Sequence, residues 1–119
     1  MTTYQSPSLV TRAMVQMFDA GDVEGAASIV SSEYVDHQGI GTGDLIGVEG
    51  FRQVVRVARS GVVSLDVVTE DLIADDDRVA ARLWWQGTRA NGEQEDRETI
   101  DIVRVADGLA IEHWGSRLA

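Results

Sequence analysis

Cysteine is absent from the 119 residues, and its absence excludes disulfides, thiolate nucleophiles, Cys-ligated zinc and iron–sulfur clusters together. A cysteine-free chain of this kind is expected to be cytoplasmic. Lysine is absent as well: all ten basic residues are arginines, so no side-chain amine is present to form a Schiff base with a carbonyl substrate or with pyridoxal phosphate. Positive charge is scarce overall. Twenty acidic residues against ten arginines leave a formal net charge of -10, and a surface of that sign repels phosphate backbones and anionic lipid. Neither nucleic acid nor a membrane is therefore an expected partner. No apolar run approaches the ~18 residues of a membrane span, and residues 1–8 are polar and uncharged, unlike a secretory leader. With two histidines in the chain and no HxH or HExxH spacing, no metal site is expected. No G-x-S-x-G stands anywhere to make a serine-hydrolase elbow.

What is present is ample apolar material. At 44% hydrophobic residues the chain can bury one core of ordinary size, so residues 1–119 read as a single domain. Ser6 suits an N-cap and Pro7 a first helical position, and Val10, Ala13, Met14, Met17 and Phe18 then recur at helical intervals up to Gly21. Asp22 suits the cap of a second helix over 23–30, and a third is expected over 48–59, burying Phe51, Val54, Val55 and Ala58. Between them, the glycine-rich stretch Gly39 to Gly50 reads as a loop, and its Gly39-x-Gly41-x-Gly43 lacks the dinucleotide-binding spacing.

The period then changes from helical to alternating. Segments 62–74, 78–88, 97–106 and 109–116 are β-branched or alternating, and Asp75-Asp76-Asp77, Asn91-Gly92 and Asp107-Gly108 separate them as hairpin turns. Three helices followed by four antiparallel strands make an α+β domain, with the helices on one face of a curved sheet. Alternation assigns Val79, Ala81, Leu83 and Trp85 to one face of one strand. It assigns Thr99, Asp101, Val103 and Val105 to one face of the next, and Leu109, Ile111, His113 and Gly115 to the last. The opposite faces carry Trp84, Ile100, Ile102 and Trp114, an apolar stripe that suits a partner sheet or subunit.

Turned inward, Asp101 and His113 are polar groups in an apolar enclosure. Desolvation should raise the pKa of Asp101 and fit it for proton transfer near neutrality; the bland alternative is a structural aspartate bonded to a helix end or an arginine. His113 is either a general acid/base or a satisfied core histidine. Asp36 and His37 are adjacent, so in extended chain only one points inward; Tyr34 and Asp36 share a side, which favours Asp36 and leaves His37 at the rim. Two carboxylates, Asp36 and Asp101, converging in an apolar cavity would push their pKa values apart and furnish one acid and one base.

Glu33-Tyr34-Val35-Asp36-His37, Gly47-x-Glu49-Gly50, Asp77-Arg78-Val79-Ala80, Gly87-Thr88, and Ile100-Asp101-Ile102-Val103-Arg104-Val105-x-Asp107-Gly108 through Glu112-His113-Trp114 stand in this order along the chain. Together they resemble the SnoaL-like polyketide cyclase family, within the nuclear transport factor 2 and ketosteroid isomerase superfamily. The resemblance implies a cone-shaped α+β fold, three helices within a curved antiparallel sheet around an apolar pocket, and a homodimer through the outer sheet face. It also implies an enzyme that needs no cofactor and moves protons on a hydrophobic, polyketide-like small molecule. Carried over by position, Asp101, Asp36, His113 and His37 are the candidate catalytic residues, with Met14, Phe18, Tyr34, Phe51, Leu83, Trp85 and Val103 around the pocket. Gly115 stands where aldol cyclases of the family carry their acid/base aspartate, so Asp101 would take over that role. The two-aspartate arrangement is similar to members that open epoxides in polyether formation, whereas the Arg-x-Asp of the limonene epoxide hydrolases is absent. From another class, a binding or assembly domain of the same fold stays open, and an occluded pocket with Asp101 held in a salt bridge would favour it.

Overall fold

The computed structural model describes residues 4–37 and 43–118. Helix α1, Pro7–Ala20, starts as its sequence suggests: Ser6 Oγ accepts from Leu9 N–H at 3.3 Å, and Pro7 occupies the first turn, where no N–H is needed. It ends at Gly21 in the left-handed region (φ 75°), whose N–H returns to Met17 O. Two carbonyls of its last turn are capped from elsewhere: Arg59 Nη1 donates to Phe18 O (2.7 Å) and Asp19 O (2.8 Å). Helix α2, Gly47–Arg59, thus closes the end of α1 with its own last residue.

The helix expected over 23–30 is a single 3-10 turn, Glu24–Ser28, so among the described residues two α-helices and not three cover the sheet. A segment this short cannot offset its own nucleation, and the sheet competes for its end. Ile29 O accepts from Ala110 N–H at 2.8 Å, and Val30 already belongs to a strand.

Among the described residues the sheet has six strands where four were expected. β1 is Val30–Asp36, β2 Leu45–Ile46, β3 Ser64–Asp75, β4 Arg78–Thr88, β5 Gln94–Ala106 and β6 Leu109–Arg117. Their order across the sheet is β2-β1-β6-β5-β4-β3. The β3 to β6 meander is antiparallel, but β1 runs parallel to β6, so the sheet is mixed. β2 and the first turn of α2 fall in the glycine-rich stretch read as a loop; Gly39 and Gly41 lie outside the described residues. Two register shifts bend the meander, one between Thr69 and Asp71 and one between Arg104 and Val105.

The inward faces of β4 and β5 follow the alternation: Val79, Ala81, Leu83 and Trp85 are buried, as are Thr99, Asp101, Val103 and Val105. On β6 the bulge corrects it. Arg104 pairs with Glu112 and Val105 with Ala110, so Ile111 is the extra residue and Ala110 takes the inward place expected of Leu109 and Ile111, which are only half-buried. His113, past the bulge, keeps its inward position. On the outer face Trp84, Ile100 and Trp114 are half-buried, and Ile102, Val68 and Ile73 are exposed. No helix among the described residues is long and apolar enough to cross a membrane.

The interior divides in two. Val10, Met14, Tyr34, Phe51, Val55, Val105 and Ala110 pack into one cluster with the 3-10 turn and β1. Leu65, Val67, Ala81, Leu83 and Trp85 form a second under Phe18 and Ala58. Phe18 bridges them, with T-shaped contacts to Phe51 (5.7 Å) and Trp85 (5.3 Å).

Candidate active site

Register brings the polar groups together. Asp36 on β1 is the ladder partner of His113 on β6, and Asp101 on β5 lies opposite Gly115, two residues farther along β6. His113 Nε2 stands 2.7 Å from Asp101 Oδ1, and its Nδ1 stands 3.1 Å from Asp36 Oδ2. The two aspartates therefore do not converge on each other; a histidine separates them.

Each carboxylate has a second, neutral donor. Tyr34 Oη donates to Asp36 Oδ2 at 2.8 Å, and Thr99 Oγ1 donates to Asp101 Oδ2 at 2.6 Å while accepting from Trp85 Nε1 at 2.8 Å. The result is one continuous chain, Trp85–Thr99–Asp101–His113–Asp36–Tyr34, and all six residues are buried. Burial by itself pulls the His113 pKa down, but the hydrogen bonds to Asp101 and then Asp36, with the charges of both, outweigh it and push it up to about 9. At neutral pH the ring is an imidazolium hydrogen-bonded to both Asp101 and Asp36. Burial, and then the charge of Asp36, push the Tyr34 phenol well above its usual range, so it stays a neutral donor.

A cavity of about 440 Å³ opens beside this chain, between α1, α2 and the sheet. Of the expected pocket residues, Met14, Phe18, Leu83, Trp85 and Val103 line it, and so do Asp101 and His113. Tyr34 and Phe51 do not: they are fully buried in the first core cluster, in T-shaped contact at 6.0 Å. Asp36 does not reach the cavity either; it is 1% exposed, behind His113. Thr99, Arg97 and Arg117 line the cavity although sequence reasoning did not single them out. Thr99 and Arg97 share the inward side of β5 with Asp101, at two and four residues' distance, and that period-2 signal was available.

His37 lies on the other face of the sheet. Its Nε2 is 2.8 Å from Glu112, its Nδ1 is 3.2 Å from Asp44, and its ring stacks on Trp114 at 5.2 Å. The bond to Glu112 raises its pKa. Glu112 in turn receives Arg104, so this is a surface network separate from the cavity. No three histidine, aspartate or glutamate side chains among the described residues converge as metal ligands. Asp36 and Asp101 hold opposite edges of the imidazole and so do not face a common point.

A family model described as a SnoaL-like domain matches residues 11–113. A Bacillus cereus protein described as a candidate polyketide cyclase is 30% identical, with a TM-score of 0.81 over 91% of this chain and 71% of that one. IdmH of Streptomyces antibioticus, also described as a candidate polyketide cyclase, is 22% identical and superposes with a TM-score of 0.82 over 95% of this chain and 92% of its own. AclR of Streptomyces galilaeus, described as a candidate hydroxylase, is 18% identical with a TM-score of 0.78, covering 94% and 74%. No curated protein matches the sequence.

Proposed function

The chain belongs to the SnoaL-like domain family, and from that premise we propose that it is an acid/base enzyme, a cyclase or isomerase acting on a hydrophobic, polyketide-like molecule bound in the cavity. The observation that carries this reading is a carboxylate, Asp101, at the wall of an apolar cavity, backed by an imidazolium with a second carboxylate behind it. Asp101, bonded to the protonated His113 and open to the cavity, is placed to act first as a base.

The step follows from that placement. Asp101 removes a proton from a carbon next to a substrate carbonyl; the C–H electron pair becomes an enolate, and Asp101 becomes a carboxylic acid. Return of that proton to another carbon of the enolate completes an isomerisation. Attack of the enolate carbon on a second carbonyl of the same molecule closes a ring instead, and the Asp101 proton then goes to the new alkoxide. His113 is a positioning residue: it fixes the Asp101 carboxylate on one edge, while Asp36 and Tyr34 fix the ring on the other. Opening an epoxide with two carboxyls would require both at the substrate, and Asp36 does not line the cavity.

One observation favours a second reading, that of a binding domain. Asp101 is tied to His113 in an ion pair, and such a pair serves structure as well as catalysis. Exchange separates the two readings. With linear poly-β-keto probes in D2O, the protein should catalyse washing of deuterium into the positions next to the carbonyls, as followed by NMR. Asp101→Asn should slow this by about 10²- to 10⁴-fold while leaving the circular dichroism unchanged. Equal rates for the two proteins would remove Asp101 from the chemistry and leave the binding reading.

A further inference from the structure

Acids outnumber arginines two to one in this chain, and five of the ten arginines form an ion pair among the described residues. Arg52 and Arg56 hold Glu49, Arg82 holds Asp71 and Glu98, Arg89 holds Glu95 and Arg104 holds Glu112, while Arg59 caps α1. Arg97 and Arg117 form no ion pair among the described residues, yet both line the mouth of the cavity. In a protein of net charge -10, two guanidiniums free of ion pairs face this cavity, alongside the carboxyl groups of Glu95 and Asp101.

Their placement is set by the strands that carry Asp101. Arg97 is the ladder partner of Trp85, and Arg117 that of Thr99, so both project to the inward face. Arg97 stands over the Trp85 ring, 4.7 Å from its centroid, and that ring is anchored through Nε1 to Thr99. The cation is thus held in place before any ligand arrives, with no carboxylate on its N–H donors. Glu95 is the acid at the same opening, and its charge is answered from outside by Arg89 at 3.1 Å.

We propose that the cavity takes an amphiphilic organic acid, its carboxylate held at the mouth by Arg97 and Arg117 and its apolar body reaching inward to Asp101. This deepens the acid/base reading above and rests on the cavity being the substrate site. Inward residues on a strand recur every ~6.7 Å, so Arg97 lies roughly 13 Å from Asp101 along β5, and Arg117 one row nearer. A carboxylate at that end fits the paired N–H edges of guanidinium, and the reacting carbons then lie at the far end of an apolar body.

Titration calorimetry with octanoate and 1-octanol, two probes of one length and different head group, tests this without turnover. The protein should bind octanoate about tenfold more tightly than octanol, and the Arg97→Gln/Arg117→Gln double variant should lose that preference with octanol affinity unchanged. Equal affinity for the two probes, failure to bind octanoate, or a preference that survives in the double variant overturns the carboxylate site. Asp101→Asn separates this proposal from the one it rests on. If that variant keeps both the octanoate preference and the deuterium exchange, the acid/base reading fails and the carboxylate site stands. If exchange depends on Asp101 but octanoate gains nothing over octanol, the carboxylate site fails alone.

Discussion

His113 is the residue whose charge state decides what its neighbours do. Its folded pKa of about 9 exceeds the unfolded value of 6.5, so the protonated ring contributes stability that is full below pH 6.5 and lost as pH rises through 9. Few other groups titrate in that window; His37 is raised as well and acts in the same direction. The melting temperature should therefore fall by roughly 5 °C or more between pH 6.5 and 9.5, and the His113 ring resonances should titrate near 9 by NMR. A ring titrating near 6.5 would show that the two carboxylates do not hold it. Removing the cation tests the same point from the other side. His113→Leu leaves Asp36 and Asp101 buried without their shared donor and should cost about 3–5 kcal/mol at pH 7, measured by urea unfolding, with partial recovery at acid pH as a carboxylate takes up a proton. Thr99→Val orphans Trp85 Nε1 and removes one donor from Asp101; a loss of about 1–3 kcal/mol is expected. That Asp101 and His113 face inward is legible in the alternation. Their bond is not, because it depends on the register of β6 against β5, which no short stretch of sequence contains.

Two elements show where local pattern holds and where it loses. α1 is specified almost entirely by its own residues, from the Ser6 cap to the glycine stop. Its C-terminus nonetheless depends on α2, because Gly21 and Arg59 occupy one place: a Cβ on Gly21 would lie 2.7 Å from Arg59 Nε, and the φ of 75° already disfavours any other residue. Gly21→Ala should destabilise the fold by about 1–2 kcal/mol, more than the intrinsic helix-stop penalty, by displacing that cap. Chemical denaturation against an Arg59→Ala background checks the coupling, since the excess should vanish there. The segment after α1 shows the opposite case. Alanines and β-branched residues over 23–30 carry a weak helical pattern, and the free edge of β6 outcompetes it, drawing Ile29 and Val30 into the sheet. Strand β1 itself carries the polar run Ser31, Ser32 and Glu33 within it, and its partner lies near the far end of the chain. No local period announces such a strand.

At the scale of the whole molecule, the outer face of the sheet is what the chain leaves uncovered. Ile102, Val68 and Ile73 are exposed there, beside the half-buried Trp84, Ile100 and Trp114. A twofold pair of chains would cover this stripe, and because each chain carries a net charge of -10, such a dimer should tighten as salt screens the repulsion between copies. Sedimentation at low and high ionic strength measures this, and Ile102→Asp should abolish association without lowering stability. A monomer at all salt concentrations would count against a dimer.

Composition and period alone gave the class of the molecule: an α+β fold with helical spacing early, alternating strands in the second half and polar residues on apolar strand faces. Those features are local, written in spacings of two to four residues and in turn chemistry such as Asp107-Gly108, where both residues take positive φ (53° and 76°). The tertiary structure alone decided that β1 enters beside β6, that the bulge at Ile111 exchanges the inward residue, and that Asp36 ends behind His113 and not in the cavity. Each of these depends on which distant strand supplies a neighbour, and so on long-range register, which no short window of sequence contains.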